Sequence, residues 1–260
     1  MKVKEIINYL ESQGDWVNWS QTRDYLLLGD ESTDVDKVIV CWVATIDVIN
    51  QAIDKGCHFI ISHENPFYMY STGLPSKVRE AQKRKMELLK KNNISIYRCH
   101  DLWDLYPKYG VRDMWSKTLN FETMQSQNPF VKIAQNVHMS VDELAKDIIH
   151  KIEPYYQFGV EIIGDRNKKV EKVGFGTGAC TDIFTMIEAG ADACIVSDDG
   201  INNWIEVQWA VDYQIPLIIV NHMACEAAGL IGLQEYLSKE FPNLNVEYIA
   251  NDYGVFHIEK

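Results

Sequence analysis

Apolar and polar positions along this chain follow two periods, one typical of β-strands and one typical of α-helices. Short continuous apolar runs, such as those at 38–43 and 217–220, predict buried strands. Apolar residues at helical spacing predict a helix over 3–12, and we also expect a long polar helix over 76–92 and a helix over 222–240. Because strands and helices alternate, we expect an α/β protein in which mostly parallel sheets are flanked by helices.

The best candidate for a linker is the polar stretch at 122–129, which divides the chain into two halves. Each half shows its own strand–helix–strand series. We therefore expect two α/β lobes, an N-terminal lobe over 1–124 and a C-terminal lobe over 125–260. In the second half, Ser140 and Glu143 form the pattern of a capping box, in which each side chain satisfies a backbone N–H at a helix start.

The overall composition excludes several classes of protein. Hydrophobic residues make up 47% of the chain and charged residues 24%, which is typical of a globular protein rather than a disordered one. No apolar run approaches the roughly 18 residues of a membrane span, and the N-terminus lacks the pattern of a signal peptide, so we expect a cytoplasmic protein. The formal net charge of −12 argues against nucleic acid or an anionic membrane as a partner. The six cysteines contain no CxxC pair, so we expect reduced, buried thiols.

Metal-competent side chains follow three of the predicted strands. They are His63 with Glu64, then Asp104, then His222 with Glu226. Open α/β sheets bind their ligands at the carboxyl ends of strands. The i, i+4 spacing of the last pair on a helix brings the Cβ atoms to about 5–6 Å, so one imidazole and one carboxylate can reach one ion. Taken singly, each pattern is also typical of a strand-end turn or helix start with solvated polar side chains.

Taken together, these five residues provide two imidazoles and three carboxylates. One divalent ion does not need so many anionic ligands, whereas two ions that share bridging carboxylates do. The set contains oxygen and imidazole nitrogen and lacks thiolate, which favours Zn²⁺, Mn²⁺ or Fe²⁺ over Ca²⁺ or copper. We therefore expect two divalent metal ions (Mn, Fe or Zn) as cofactors. The residues alone identify no catalytic group.

A glycine-rich segment at 174–178 lies between a predicted strand and a predicted helix. Backbone N–H groups at such a helix start can bind a phosphate. The segment lacks the lysine of a P-loop and the third glycine of a dinucleotide fingerprint, so a structural turn is the better interpretation.

Five short motifs follow one another along the chain: LGD at 28–30, HxxxD at 100–104, GxG at 176–178, SDD at 197–199 and HxxxE at 222–226. In this order and spacing the chain resembles the family of dinuclear-metal, ring-forming hexameric proteins named for a yeast NGG-interacting factor. Members of that family are widely labelled type 2 homologues of GTP cyclohydrolase I.

The resemblance implies that the metal ligands are His63, Glu64, Asp104, His222 and Glu226, in a site between the two lobes. It also implies a homohexamer built as a ring of dimers. The family usually carries two adjacent histidines where this chain has His63 and Glu64. A glutamate there adds negative charge, which favours harder ions such as Mn²⁺ or Fe²⁺.

Two classes of function agree with these residues. The first is a metal-dependent hydrolase of a small substrate, nucleotide-like or cyclic and anionic, in which Glu64 or Asp101 handles the proton. The second is a non-catalytic metal-binding hexamer that serves as an assembly or interaction protein. Both need the same ligands, so the sequence does not separate them, and the cyclohydrolase activity is implied by resemblance only.

Overall fold

A computed structural model describes residues 1–68, 73–201, 204–251 and 253–258 of the chain. The α-helices, in chain order, are α1 (Val3–Glu11), α2 (Ile46–Asp54), α3 (Ser76–Lys91), α4 (Asp101–Leu105), α5 (Val111–Leu119), α6 (Val141–Ile152), α7 (Ile183–Glu188), α8 (Trp204–Asp212) and α9 (His222–Glu240). Short 3₁₀ helices span Glu153–Tyr155, Gly178–Cys180 and Asp199–Ile201.

The β-strands, in chain order, are β1 (Tyr25–Leu28), β2 (Lys37–Cys41), β3 (Phe59–Ser62), β4 (Ser95–Arg98), β5 (Glu122–Gln125), β6 (Lys132–Gln135), β7 (Met139–Ser140), β8 (Glu161–Ile163), β9 (Lys169–Val170), β10 (Val173–Phe175), β11 (Ala193–Ser197), β12 (Leu217–Val220) and β13 (Asn245–Tyr248). The chain forms two compact units. The first comprises Met1–Trp103 and Leu230–Asn251, and the second comprises Asp104–Gly229 and Asp252–Lys260.

The first unit contains a five-stranded sheet with the order β1-β4-β3-β2-β13. All neighbours in it are parallel except β1 and β4. Strands β2 and β3 are apolar and buried along almost their whole length, because helices cover a parallel sheet on its faces. The register pairs Cys41 with Ser62 and Ser62 with Arg98. The residues that follow β3 and β4 therefore leave the sheet at the same edge.

The second unit contains a six-stranded sheet with the order β5-β6-β10-β11-β12-β8, and a small β7-β9 pair. Strands β10, β11 and β12 are parallel, and the outer strands join them antiparallel. Ser197 at the end of β11 is in register with Val220 at the end of β12. Two separate clusters of buried apolar side chains pack in this unit. The loops after Ser197 and Val220 share one edge of the sheet.

The structure confirms the α/β class and also corrects the sequence-based prediction in several places. The predicted linker at 122–129 is wrong, because its first half is β5, which pairs with β6. Strand β1 is an edge strand that the sequence did not predict. Strand β13 pairs with β2, so 230–251 lie in the first unit, whereas the division at 124/125 assigned them to the C-terminal lobe.

Two local features agree with the prediction from the sequence. The capping box of α6 is present, since the Ser140 N–H donates to Oε2 of Glu143 at 2.7 Å and the Glu143 N–H donates to Oγ of Ser140 at 3.2 Å. All six cysteines are free thiols, and five of them are buried. Within the described ranges, no helix combines the length and the apolarity that crossing a membrane requires.

Candidate metal site

His63 is the first residue after β3, and its side chain is completely buried. Its Nδ1 atom lies 3.0 Å from the carbonyl oxygen of Cys99. A carbonyl oxygen only accepts hydrogen bonds, so Nδ1 carries the proton of the neutral ring. The lone pair is then on Nε2, which is the arrangement of a metal-binding histidine with an anchored second nitrogen.

Glu64 is held on two sides of its carboxylate. Oε2 accepts a hydrogen bond of 2.8 Å from Nη2 of Arg98, and Oε1 lies 3.4 Å from Nε2 of His100. Its side chain is 22% exposed, so it does not point freely into solvent. The ligand atoms of His63 and Glu64 approach within 4.8 Å. Adjacent residues in a strand normally point to opposite sides, and the turn that follows β3 removes this alternation.

His100 belongs to the same cluster, although its position in the sequence alone did not indicate a donor. Its ring stacks on that of His63, with centroids 4.6 Å apart and planes 9° from parallel. Its Nδ1 lies 2.9 Å from Oδ1 of Asp101. The HxxxD pattern already contained His100, but the stacking with His63 depends on the pairing of β3 with β4. His63, Glu64 and His100 together place two imidazoles and one carboxylate in the first unit.

Asp24 holds the turn that carries His100. Its buried carboxylate accepts backbone N–H groups from His100, from Asp101 at 2.9 Å and from Leu102 at 2.7 Å, and so caps α4. Burial raises the pKa of Asp24 above its usual value, against the lowering effect of these hydrogen bonds. The residue stands 76 positions before His100, which is why no local motif indicated it.

Asp101, one of the two proton carriers considered from the sequence, has a different environment. Burial works to raise its pKa, but hydrogen bonds from His100 and Arg23 dominate and hold the pKa well below its usual range. A carboxylate with so low a pKa is a weak base. Its contacts indicate that it orients the ring of His100.

In the second unit, His222 and Glu226 meet on the first turn of α9. Nε2 of His222 lies 2.9 Å from Oε1 of Glu226, as the i, i+4 spacing predicts. Nδ1 of His222 lies 2.8 Å from Oδ2 of Asp199. Glu226 is 3% exposed. As for His63 in the first unit, an oxygen acceptor lies against Nδ1, and in His222 Nε2 also faces a carboxylate.

The loop after β10 packs closely against this pair. Gly178 adopts a left-handed backbone with φ +52°, and a Cβ atom there would lie 2.4 Å from Nε2 of His222 and 2.6 Å from Oε1 of Glu226. Ser197 and Thr181 donate hydroxyl hydrogen bonds to the carbonyl of Gly178 at 2.5 and 2.9 Å. The GxG segment is therefore a turn that needs glycine for close approach.

Asp198 fixes the start of α9. Its Oδ1 accepts the backbone N–H of His222 at 2.8 Å, and its Oδ2 accepts the amide of Asn221 at 2.8 Å. A carboxylate at a helix N-terminus also interacts favourably with the helix dipole. The SDD motif thus supplies two supports for His222, Asp198 through the backbone and Asp199 through the imidazole.

Two further residues complete the description of the site chemistry. Asp104 on α4 is buried, with 7% exposure. The thiol of Cys225 donates to the carbonyl of His222 at 3.0 Å. Burial, followed by the nearby carboxylate of Glu226, raises the pKa of Cys225 well above its usual value. Cys225 is therefore a neutral thiol and not a thiolate ligand.

The orientation, burial and donor atoms of the described side chains all suit a divalent metal ion. Each imidazole of the five-residue set has Nδ1 against an oxygen acceptor, Nε2 of His222 faces the carboxylate of Glu226, and buried carboxylates lie in both units. The donors are nitrogen and oxygen only, in agreement with Zn²⁺, Mn²⁺ or Fe²⁺. The described residues thus contain buried His, Asp and Glu groups that can hold a metal ion.

The chain belongs to the Duf34/NIF3 (NGG1p interacting factor 3) family, whose model matches residues 1–253. A relative from Clostridium acetobutylicum is 24% identical over 253 residues, which cover 91% of this chain and 90% of the relative. A relative from Clostridium perfringens is 25% identical over 265 residues, which cover 96% of each protein. Both relatives are named GTP cyclohydrolase 1 type 2 homolog.

Solved structures show the same fold at lower sequence identity. A hypothetical protein from Staphylococcus aureus matches with a TM-score of 0.80 and 22% identity, covering 100% of this chain and 99% of that one. A Bacillus cereus protein related to NIF3 matches with a TM-score of 0.79 and 16% identity, covering 99% of each. The fold of the family therefore extends over the whole chain.

Proposed function

We propose that this protein binds two divalent metal ions through His63, Glu64, Asp104, His222 and Glu226 and hydrolyses a small substrate there. The observation that carries the proposal is the common anchoring of both histidines. Each has Nδ1 against an oxygen acceptor, the Cys99 carbonyl in one case and Asp199 in the other, so Nε2 is the metal-binding nitrogen. His100 is a sixth candidate donor.

Bound metal ions would supply Lewis acidity and the activation of water at neutral pH. The chain's own residues prepare the site for this chemistry. Asp199 and the Cys99 carbonyl fix the ring orientations of His222 and His63, and Asp101 fixes that of His100. Hydrogen bonds from His100 and Arg23 hold the pKa of Asp101 well below its usual range, so Asp101 is a weak base and a poor proton carrier.

The substrate that these features favour is small and anionic, either nucleotide-like or cyclic. A cation-binding centre attracts an anion even in a chain whose net charge is −12, whereas a long polyanion would be repelled by that charge. The name GTP cyclohydrolase 1 type 2 homolog, which the relatives carry, supports testing nucleotides first.

A non-catalytic metal-binding assembly is the second candidate function. It needs the same ligands, and the exposed apolar surface of α8 favours it. Trp204 and Ile205 are 66% and 69% exposed, and Tyr213, just beyond the helix, is 64% exposed. Large apolar side chains that are this exposed and adjacent in sequence, as at Trp204 and Ile205, are typical of an interaction surface. These side chains favour self-association, and under either function we propose a homohexamer, built as a ring of dimers, in the cytoplasm.

The first experiment is metal analysis of full-length protein purified without chelator. We expect about two divalent ions per chain. The double variant His222→Ala/Glu226→Ala should lose most of the metal and keep its circular dichroism spectrum. As a matched control, His150→Ala/Glu153→Ala removes an exposed histidine and an exposed glutamate from α6 and its end. Full metal occupancy in the first double variant would refute the assignment.

A second experiment separates the two functions. Wild-type protein with added Mn²⁺, Zn²⁺ or Fe²⁺ is incubated with nucleotides, phosphoesters and cyclic amides, and product is measured. A hydrolase turns over at least one class, and the His222→Ala/Glu226→Ala variant does not. Metal binding without turnover in any class would favour the assembly function.

A further inference from the structure

Arg98 is the last residue of β4, and its side chain is 12% exposed. The guanidinium makes two contacts with the segment that follows β3. Nη2 donates to Oε2 of Glu64 at 2.8 Å, and Nε donates to the carbonyl oxygen of His63 at 3.2 Å. Because both partners of the ion pair are largely shielded from solvent, this contact is stronger than an exposed surface pair.

The ion pair changes what Glu64 offers to a metal. The hydrogen bond from Arg98 uses one lone pair of Oε2 and holds that oxygen toward the guanidinium, which disfavours a geometry in which both carboxylate oxygens bind one metal ion. Oε1 remains on the side of His100, 3.4 Å from its Nε2. A guanidinium stays charged at every physiological pH, so the Glu64–Arg98 pair carries no net charge.

We propose that Arg98 is a specificity-determining positioning residue of the metal site, which restricts Glu64 to a single donor oxygen and cancels its negative charge. The negative charge that the sequence expects Glu64 to add is thereby neutralised. The site is consequently less selective for hard, oxygen-preferring ions than Glu64 alone would make it. This inference rests on the proposed function, since it concerns how the same residues bind metal.

The proposal predicts an unusual direction of change, because removing a largely shielded ion pair should strengthen metal binding. Arg98→Met has a side chain of comparable length without charge or donors. It frees Oε2 and leaves Glu64 as an uncompensated anion, so we expect Mn²⁺ affinity to rise about tenfold or more, and Mn²⁺ to gain over Zn²⁺. Arg98→Lys keeps the charge but not the planar fork, so its affinity should stay within about threefold of wild type.

The experiment is calorimetric titration of metal-free, full-length protein with Mn²⁺ and separately with Zn²⁺. The four proteins of a double-mutant cycle are wild type, Arg98→Met, Glu64→Gln and Glu64→Gln/Arg98→Met. Arg98→Met should raise Mn²⁺ affinity by less than about twofold when residue 64 is already glutamine, because Arg98 acts through the carboxylate of Glu64. Circular dichroism and the Arg98→Lys variant show whether folding is retained.

The outcomes separate this inference from the proposed function. If wild type binds neither ion, the proposed function fails and the inference with it. If wild type binds metal and Arg98→Met binds equally or more weakly, Arg98 is only a structural anchor, and the inference is overturned while the proposed function stands. An equal gain with and without Glu64 would also overturn it. If Arg98→Met does not fold, Glu64→Gln is compared in the wild-type and Arg98→Lys backgrounds. A loss of Mn²⁺ affinity above tenfold in both backgrounds would count against the proposal.

Discussion

The backbone of Gly178 lies directly against the imidazole of His222, so that a Cβ atom at position 178 would stand 2.4 Å from Nε2. The same Cβ would lie 2.6 Å from Oε1 of Glu226. Nε2 of His222 and Oε1 of Glu226 are the atoms through which the two residues would bind a metal. The loop after β10 therefore forms a wall of the donor pair, and glycine is required at its point of contact.

Gly178→Ala should weaken divalent-metal binding at least tenfold, because the added methyl group displaces the donor atoms or fills the position of the ion. Overpacking and the left-handed backbone should together cost about 1–3 kcal/mol of unfolding free energy. Gly56→Ala is the control, since Gly56 has φ +63° but open space around its Cβ position. It should show the backbone strain alone. Equal metal affinity in both variants would contradict the role given to Gly178.

Asp199→Ala should lower metal affinity about 10–100-fold, because the carboxylate orients His222 through Nδ1. The Asp199 side chain is half-exposed, so the unfolding free energy should change by only about 0.5 kcal/mol. The control is Asp212→Ala, which removes an exposed aspartate at the end of α8. Titration with Zn²⁺ and urea unfolding measure the two effects. A loss of stability with unchanged affinity would show that Asp199 is only a structural cap.

Glu143 gives a pH-dependent contribution to stability. The backbone N–H of Ser140, together with Lys169, lowers its pKa from 4.5 to about 2. Above pH 4.5 its stabilising effect is fully present. As the pH falls from 4.5 toward 2, the unfolded chain takes up the proton first, so this stabilisation is lost. In metal-free protein, Glu143→Gln should make the fall of unfolding free energy over this range shallower.

Urea unfolding at steps between pH 5 and pH 2 measures this difference. The comparison uses wild type and Glu143→Gln, both with chelator so that metal ligands do not contribute. Parallel stability curves for the two proteins would show that the capping box does not couple to pH. The variant should also be less stable than wild type at pH 7, because it loses the charged cap.

Ile205→Lys on α8 should reduce the size of the assembly. Ile205 is 69% exposed beside the exposed Trp204, and a lysine in an apolar interface leaves a buried charge without a partner. Light scattering should give about six times 29.9 kDa for wild type and a smaller species for the variant. Ile46→Lys, at an exposed apolar position of α2, is the control and should keep the wild-type mass. A monomeric wild type would refute the hexamer.

How far the sequence predicts this protein depends on how far apart the interacting residues are. The contact of His222 with Glu226 and the capping box of Ser140 with Glu143 follow from helix geometry, which sets distances three and four positions apart. The buried strands and the α/β class follow from the periods of apolar positions. All of these were predicted correctly from local patterns.

Contacts between distant positions were decided only by the tertiary structure. Asp24 caps α4 across 76 positions, Arg98 pairs with Glu64 across 34, and the last strand pairs with β2 rather than with its neighbours in sequence. The polar residues of β5 looked like a linker because an edge strand needs no continuous apolar run. Strand order and register depend on which apolar faces pack together, and that is a property of the folded whole. The types of donor and their local spacing therefore follow from the sequence alone. The residues that orient these donors and neutralise their charge, such as Asp24 and Arg98, are brought to them only by the tertiary structure.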